Sequence, residues 1–202
     1  MKLFFHYCSF GFSNCYVLGD DKSSHAIIVD PGSMDEQILE HIEENNLNLS
    51  AVLITHDHSG HVHGLRTLRR IYQPEIYAIN RLVMDVKTRT VKDGDKFLVG
   101  SIPIEVISIP GHSADSAVYQ IGSLLFTGDV LTAGLVGTTA SSYGSATQMS
   151  KLRSRLLSLP GDYTVLPGHG PPSTLEAERR FNVSINQYGD TLARKPAFRI
   201  KL

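Results

Sequence analysis

Cysteine is scarce and net charge is nearly absent in this chain of 202 residues. Because only Cys8 and Cys15 are present, a framework of several disulfides is excluded, and the reducing cytoplasm is the expected location. The 19 Lys and Arg residues almost balance the 20 Asp and Glu residues, which leaves a formal charge of −1. This balance argues against a broad phosphate-binding surface, so nucleic acid is not an expected partner.

Long apolar segments are also absent. No run approaches the roughly 20 residues that a helix needs to cross a bilayer, and the first residues hold too short an apolar stretch for a signal-peptide core. The Gly-x-Ser-x-Gly motif of serine hydrolases and the glycine-rich phosphate loops of nucleotide-binding proteins are missing as well. We therefore expect a small-molecule substrate and no membrane partner, while the oligomeric state stays open.

Apolar segments bounded by Gly, Pro and Asp predict several short strands. The predicted strands cover residues 14–18, 26–29, 51–54, 102–109, 117–121, 124–126 and 163–166. The run 51–54 is apolar throughout, which is typical of a strand that is buried on both faces.

Helices are predicted between these strands. Three begin at capping boxes, in which Ser33, Ser145 or Ser173 precedes Glu or Gln by three positions. Another helix covers 65–72, and the last one is predicted to bury Phe181, Ile185 and Tyr188. Because no linker or low-complexity segment interrupts the pattern, we expect one mixed α/β (α+β) domain over residues 1–202.

Histidine is abundant and unevenly placed: four of the nine histidines lie within 56–63, directly after the strand 51–54. Three later strands also end in a glycine-flanked polar residue, namely His112, Asp129 and His169. Because a buried strand fixes its end and glycine lets the backbone turn sharply, these side chains can meet at one edge of the sheets. Neutral imidazole binds transition metals and a carboxylate can bridge two ions, so the pattern predicts a two-metal site.

The predicted metal ligands are five histidines and one aspartate: His56, His58, His61, His112, Asp129 and His169. His63 is expected beside the site or on the surface. The remaining histidines are expected at ordinary surface or core positions: His6, His25 and His41.

The segment 55–61, Thr-His-Asp-His-Ser-Gly-His, resembles the Thr-His-x-His-x-Asp-His signature of the metallo-β-lactamase superfamily. Four further motifs match that superfamily in order: Asp30-Pro31-Gly32, Gly111-His112, Gly128-Asp129 and Gly168-His169. Within the superfamily, Thr127-Gly128-Asp129 and the stretch 167–171 are similar to the glyoxalase II-like hydrolases, including their short, single-domain members.

The resemblance implies a four-layer αββα sandwich, the metallo-β-lactamase fold, with the ligands along one edge of its paired sheets. It implies that His56, His58 and His112 bind a first metal ion. It also implies that His61 and His169 bind a second ion and that Asp129 bridges the two. Zinc is the expected metal, as one or two ions, because it suits histidine ligands and acidifies bound water; iron and manganese stay open.

The implied activity is hydrolysis of a thioester or a similarly activated acyl bond by a metal-bound hydroxide. The catalytic residues would be those of the first metal: His56, His58, His112 and Asp129. Tyr143, in the predicted loop 141–144, is either a hydrogen-bond donor to the oxyanion or an aromatic side chain that covers the core.

Gly60 departs from the signature, which has Asp at this position. In the family this carboxylate binds the second metal, so here that site is one anionic ligand short and we expect the second ion to be weakly held or absent. Asp57 is a possible substitute for the missing carboxylate.

Two other functions remain open. The persulfide dioxygenases, a mononuclear iron branch of the superfamily, use two His and one Asp that correspond to His56, His112 and Asp129, all present in this chain. A noncatalytic metal-binding protein is the other alternative, suggested by Gly60. Full glyoxalase II enzymes add a C-terminal helical segment that binds glutathione; little of it would fit after Pro171, so a glutathione thioester is not the expected substrate.

Overall fold

The computed structural model describes residues 1–186, which form strands, helices and their connections. The first half of the chain contains β1 (Lys2–Tyr7), β2 (Asn14–Gly19), β3 (His25–Val29), α1 (Glu36–Glu44), β4 (Asn48–Leu53), α2 (Ser59–Val62), α3 (Leu65–Ile71), β5 (Glu75–Ala78), β6 (Leu82–Val83), β7 (Val86–Lys87), β8 (Arg89–Thr90) and β9 (Lys96–Val99). The second half contains β10 (Ile102–Ser108), β11 (Ala117–Ile121), β12 (Leu124–Gly128), β13 (Leu131–Thr132), β14 (Leu135–Val136), α4 (Ser142–Lys151), β15 (Thr164–Pro167), β16 (Ser173–Thr174) and α5 (Leu175–Phe181).

Two six-stranded sheets form the centre of the fold. The first has the strand order β1-β2-β3-β4-β5-β8, and its strands from β3 onward are parallel. The second has the order β16-β15-β12-β11-β10-β9 and is antiparallel except for the pair β12 and β15. The pairs β6-β7 and β13-β14 are separate short hairpins. All seven predicted strands are present, and several differ from the prediction by one to three residues at an end.

Alternating side chains of the strands fill three apolar layers. In β3, Ile28 packs with Ile38 of α1 on the outer face, while Ile27 faces Phe126 of the second sheet. On the far side of the second sheet, Leu125 packs against Leu152, which lies in a π-helical turn that continues α4. The layers therefore run helix, sheet, sheet, helix, and the predicted αββα sandwich is confirmed.

The capping box predicted at Ser33 is wrong, because Asp35 caps α1 by accepting a hydrogen bond from the Ile38 amide. The cap predicted at Ser145 is also wrong: that residue lies inside α4, and Ser141 is the cap. Each of these segments offers more than one side-chain oxygen, and a cap forms at the residue whose backbone is still extended where the helix begins. Asp35 and Ser141 both have that extended backbone.

The last helix differs from the prediction in the same way. Thr174, not Ser173, caps α5, and Ser173 instead donates a hydrogen bond to Glu178. Starting the helix at Leu175 turns Phe181 outward, so the prediction that Phe181 is buried is wrong: its side chain is 72% exposed. Ile185 is buried as predicted, and Tyr188 lies outside the described residues.

None of the helices within residues 1–186 has the length and apolar character that a membrane span requires.

Candidate metal centre

The six predicted ligands come from the ends of four strands, where the two sheets meet. His56, His58 and His61 follow β4, and His61 lies in the short helix α2. The others follow one strand each: His112 comes after β10, Asp129 after β12 and His169 after β15. A backbone hydrogen bond from Ala117 to Thr55, 2.8 Å long, joins the two sheets beside this edge.

The first group of potential ligand atoms belongs to His56, His58 and His112, and these atoms lie within 4.8 Å of one another. Nε2 of His112 is 3.1 Å from Nδ1 of His58. On its other side, Nδ1 of His112 donates a hydrogen bond to the carbonyl of Thr138 at 2.8 Å. Because a carbonyl can only accept, this bond fixes the proton on Nδ1 and leaves Nε2 to face the centre.

The second group belongs to His61, Asp129 and His169, again within 4.8 Å of one another. Oδ1 of Asp129 accepts a hydrogen bond from Nδ1 of His169 at 2.7 Å. Oδ2 of the same carboxylate lies 3.4 Å from Nε2 of His61, 3.6 Å from Nε2 of His112 and 3.8 Å from Nε2 of His56. Asp129 thus faces both groups, in the position that the sequence predicts for a bridging carboxylate.

Two buried nitrogens in this cluster, Nε2 of His56 and Nε2 of His61, have no hydrogen-bond partner in the described part of the chain. A buried polar atom without a partner is costly, so such atoms call for a ligand that the protein atoms do not supply. Their distances to Oδ2 of Asp129 are 3.8 Å from His56 and 3.4 Å from His61. Imidazole nitrogens around a carboxylate are the donor set of Zn²⁺, Fe²⁺ or Mn²⁺, so the residues present fit one or two divalent ions.

Asp30 belongs to the Asp-Pro-Gly motif of the sequence. It holds His61 in place directly and His56 through Thr55. Its carboxylate accepts hydrogen bonds from the Thr55 amide at 2.8 Å, the Thr55 hydroxyl at 2.5 Å and Nδ1 of His61 at 3.0 Å. Since the Thr55 hydroxyl donates to Asp30, Nδ1 of His56 donates to that hydroxyl at 3.0 Å. Both rings therefore hold a proton on Nδ1 and present Nε2 to the cluster.

Burial and neighbouring charges shift the pKa values of the cluster. Burial, followed by the nearby His61, lowers the pKa of His56 to about 3, so this imidazole is neutral. Burial also opposes a charge on His61, but hydrogen bonds to Asp129 and Asp30 outweigh it and raise the pKa of His61 to about 10. Burial would raise the pKa of Asp129, yet hydrogen bonds from His169 and His61 hold it well below its usual range. The carboxylate of Asp129 and the protonated ring of His61 thus stabilise each other's charge.

Gly60 lies in α2 against the loop of residues 8–13 that joins β1 to β2, here called the hairpin loop. A Cβ atom at position 60 would be 3.5 Å from Cα and 3.7 Å from the carbonyl oxygen of Gly11. That oxygen accepts a hydrogen bond from Nε2 of His169 at 3.0 Å. The Ser13 hydroxyl donates to the Gly60 carbonyl at 2.6 Å. The hairpin loop therefore fills the space beside the missing side chain, a contact for which the sequence carries no signal.

The structure does not bring Asp57 into either ligand group, so Asp57 does not replace the missing carboxylate. Its side chain is exposed, and its amide donates to Asp115 at 2.9 Å. His63 is exposed and stacks on Phe10 with 3.9 Å between the ring centres, which makes it a surface residue. Tyr143 is 81% exposed in the first turn of α4, so the interpretation that it covers the core from a loop is wrong.

The other three histidines lie outside both ligand groups. His6 is buried and pairs with Asp35 at 2.7 Å, and His41 stacks on Phe4 with 3.9 Å between the ring centres. His25 contacts the Ser50 hydroxyl at 2.6 Å. All three therefore have ordinary structural partners, as expected.

Comparison with known proteins agrees with this geometry. The chain is 35% identical over 157 residues to a hydroxyacylglutathione hydrolase of Chromohalobacter salexigens; the match covers 76% of this chain and only 60% of that protein. It is 30% identical over 209 residues to hydroxyacylglutathione hydrolase GloC of Haemophilus influenzae, covering 86% of this chain and 92% of that protein. Among solved structures, ETHE1 from Myxococcus xanthus superposes with a TM-score of 0.83 at 27% identity, covering 93% of this chain and 85% of that one.

The sequence pattern of one family, described as the metallo-β-lactamase superfamily, matches residues 8–169. This match includes every predicted ligand, from His56 to His169. The chain therefore belongs to the metallo-β-lactamase superfamily.

Proposed function

We propose that the chain is a metal-dependent hydrolase of a thioester or a similarly activated acyl bond. The observation that carries this proposal is the convergence of the unpaired Nε2 atoms of His56 and His61 on the carboxylate of Asp129. The two relatives named hydroxyacylglutathione hydrolase support it, since that name describes cleavage of an acyl–thiol bond.

His56, His58 and His112 would hold one divalent ion, and His61 and His169 would hold a second, with Asp129 between them. We propose zinc as the metal. A bound divalent ion of this kind lowers the pKa of a coordinated water and polarises a carbonyl group.

The chain's own residues prepare the site for that chemistry. Asp30 and Thr55 hold a proton of His61 and of His56 on Nδ1, so both rings are already oriented for Nε2 to bind an ion. Binding would release the second proton of His61. Asp129 is ionised across the physiological pH range, and its Oδ2 faces the centre of the cluster. That oxygen is placed to accept a hydrogen bond from an attacking water and so to orient it.

The identity of the thiol half of the substrate does not follow from chain length. The Haemophilus protein carries the name hydroxyacylglutathione hydrolase, and its match with this chain covers 92% of its length. A glutathione thioester therefore belongs among the substrates to be tested, beside simpler thioesters.

The test is hydrolysis of a panel of thioesters by purified, zinc-loaded protein, with release of the free thiol as the signal. We expect turnover in the wild type and its loss in His112→Ala. The matched control is His41→Ala, since His41 stacks on Phe4 and belongs to neither ligand group. Absence of turnover for every thioester in the panel would refute the proposed function.

A mononuclear iron oxygenase acting on a persulfide is a second candidate. It is supported by the close approach of Asp129 to His56 and His112, at 3.8 Å and 3.6 Å, and by the likeness to ETHE1. Oxygen uptake by iron-loaded protein with a persulfide, without thioester hydrolysis by the zinc-loaded form, would favour this candidate. Lack of both activities would favour a noncatalytic metal-binding role.

A further inference from the structure

Each ligand group combines residues that follow strands of both sheets. In the first group, His56 and His58 follow β4 of the first sheet, and His112 follows β10 of the second. In the second group, His61 also comes after β4, and the other two members come after strands of the second sheet. The distance between the ligands of one ion therefore depends on how the two sheet edges are joined beside it.

Asp115 joins the two edges beside the first group. It lies between β10 and β11 of the second sheet, and its side chain is 8% exposed. Its Oδ2 accepts a hydrogen bond from the Asp57 amide at 2.9 Å and another from Nδ2 of Asn80 at 2.9 Å. Both donors follow strands of the first sheet, and Asp57 stands between His56 and His58 in the chain.

The loop that carries Asp115 also carries His112, and hydrogen bonds within the loop hold it together. The Gly111 amide donates to the Ser113 carbonyl at 3.0 Å, and the Ser113 amide donates to the Ser116 hydroxyl at 3.2 Å. Because these bonds span the whole loop, the position of Asp115 determines the position of His112. One buried carboxylate therefore joins the segments that carry all three ligands of the first group.

Asn14 has the matching place beside the second group. It begins β2 of the first sheet, and its side chain is 1% exposed. Its Nδ2 donates to the carbonyls of Pro167 at 2.9 Å and Gly170 at 2.7 Å, and its amide donates to the carbonyl of Gly168 at 2.7 Å. These carbonyls stand on both sides of His169 in the chain, at the end of a strand of the second sheet.

We propose that Asp115 and Asn14 are positioning residues, Asp115 for the metal ion of the first group and Asn14 for that of the second. The inference rests on the proposed function, because it assigns these residues a role in binding the ions of that site. Each side chain bonds to backbone groups beside predicted ligands, and neither belongs to a ligand group. Loss of a residue that orients metal ligands lowers metal affinity about tenfold or more.

The experiment measures the affinity of each zinc ion in variants of the two residues. Competition with a chromogenic chelator measures the tightly held ion, and calorimetry with excess zinc measures the weaker one. His58→Ala and His169→Ala identify which of these ions belongs to which ligand group. We expect Asp115→Ala to weaken the ion of the first group about tenfold and to leave the other unchanged. Asn14→Ala should have the opposite selectivity, so each variant is the control for the other.

The selectivity separates positioning from a general loss of structure, since a protein that fails to fold would lose both ions. Asp115→Asn adds a rescue, because its side-chain oxygen can accept the same two hydrogen bonds, and it should keep most of the affinity for the first ion. Asp162→Ala is a further control: Asp162 also accepts a backbone amide from another segment, that of Glu176 at 2.8 Å, but belongs to neither ligand group. It should change neither affinity.

These measurements do not require hydrolysis, so the two proposals can fail separately. If the alanine variants weaken different ions but wild type hydrolyses no thioester, the proposed function fails and the positioning roles stand. If wild type hydrolyses thioesters but an alanine variant weakens both ions equally, or neither, the positioning role of that residue fails and the proposed function stands.

Discussion

The backbone carbonyl of Gly11 accepts a hydrogen bond from Nε2 of His169 at 3.0 Å. The same ring donates from Nδ1 to Asp129 at 2.7 Å, so His169 is held at both nitrogens. A metal-binding histidine commonly has its second nitrogen fixed by a carbonyl or a carboxylate, and the partner tunes the affinity of the site. The hairpin loop therefore orients His169, a member of the second ligand group.

This contact also gives Gly60 a steric role. A Cβ at position 60 is tolerated, since its nearest neighbour would be Cα of Gly11 at 3.5 Å. A longer side chain directed the same way would meet the Gly11 carbonyl. The reverse contact is tighter, because a Cβ on Gly11 would lie 2.5 Å from Cα of Gly60. The two glycines together allow the hairpin loop to reach His169.

Replacing Gly60 tests whether the second group lacks a carboxylate. We expect Gly60→Asp to raise occupancy of the second ion, because it adds the anionic ligand, and to displace the Gly11 carbonyl from His169. Gly60→Ala is the matched control and should do neither. Metal per chain after dialysis measures the first effect, and the NMR signal of the His169 ring proton measures the second. Unchanged occupancy in Gly60→Asp would mean that another group already fills that place.

The side chain of Gln148 connects the segment that follows Asp129 with the segment that precedes Thr138. Its buried side-chain amide donates to the carbonyls of Val130 at 3.2 Å and Gly137 at 3.1 Å. These residues adjoin Asp129 and Thr138, whose carbonyl fixes His112. We expect Gln148→Leu to weaken zinc binding about tenfold, because the loss of a residue that positions metal ligands without binding the metal has an effect of this size.

The control for this change is Gln120→Leu, which alters a glutamine of β11 whose side chain, among residues 1–186, donates a hydrogen bond to the Gly122 carbonyl alone. Competition with a chromogenic chelator measures the zinc affinity of both variants. Wild-type affinity in Gln148→Leu would contradict a supporting role for Gln148.

The cap of α1 makes stability depend on pH. Burial raises the pKa of Asp35, but hydrogen bonds from His6 and Ser33 outweigh it, and the resulting pKa lies below the ordinary value. A carboxyl group with a lowered folded pKa stabilises the protein above its unfolded pKa, and the contribution is lost as the pH falls through the folded pKa. Asp35→Ala should therefore lower the free energy of unfolding by about 1 kcal/mol at pH 7.

Urea denaturation at several pH values measures that difference. We expect it to shrink as the pH falls below about 4, the ordinary pKa of an aspartate. Ser33→Ala, which removes the predicted cap that the helix does not use, should cost less. An equal loss in the two variants at pH 7 would contradict the assignment of Asp35 as the cap.

The convergence of the six predicted ligands could be predicted because its signals are local. A buried run such as 51–54 marks a strand end, and a glycine beside His112, Asp129 or His169 marks a sharp turn. These signals need no knowledge of the partner strands. The structure accordingly brings all six predicted residues together.

The supports of the site could not be predicted, since they depend on backbone geometry and distant contacts. Asp30 reaches Thr55 and His61 from a left-handed backbone with φ of +50°, which a motif does not reveal. Gly11 contributes its backbone carbonyl, a group that every residue has, so the residue type at position 11 does not reveal this role. The predicted start of α1 was wrong for a related reason. Ser33 and Asp35 could both cap the helix, and the backbone conformation determines which of them does so.

Metal analysis of protein purified without added metal tests directly whether Gly60 weakens the second metal site. After dialysis against metal-free buffer, we expect one ion per chain to remain, because the group of His61, His169 and Asp129 lacks a carboxylate at Gly60. A second ion should bind only when metal is supplied in excess. Two firmly held ions per chain after the same dialysis would contradict the claim that Gly60 weakens the second site.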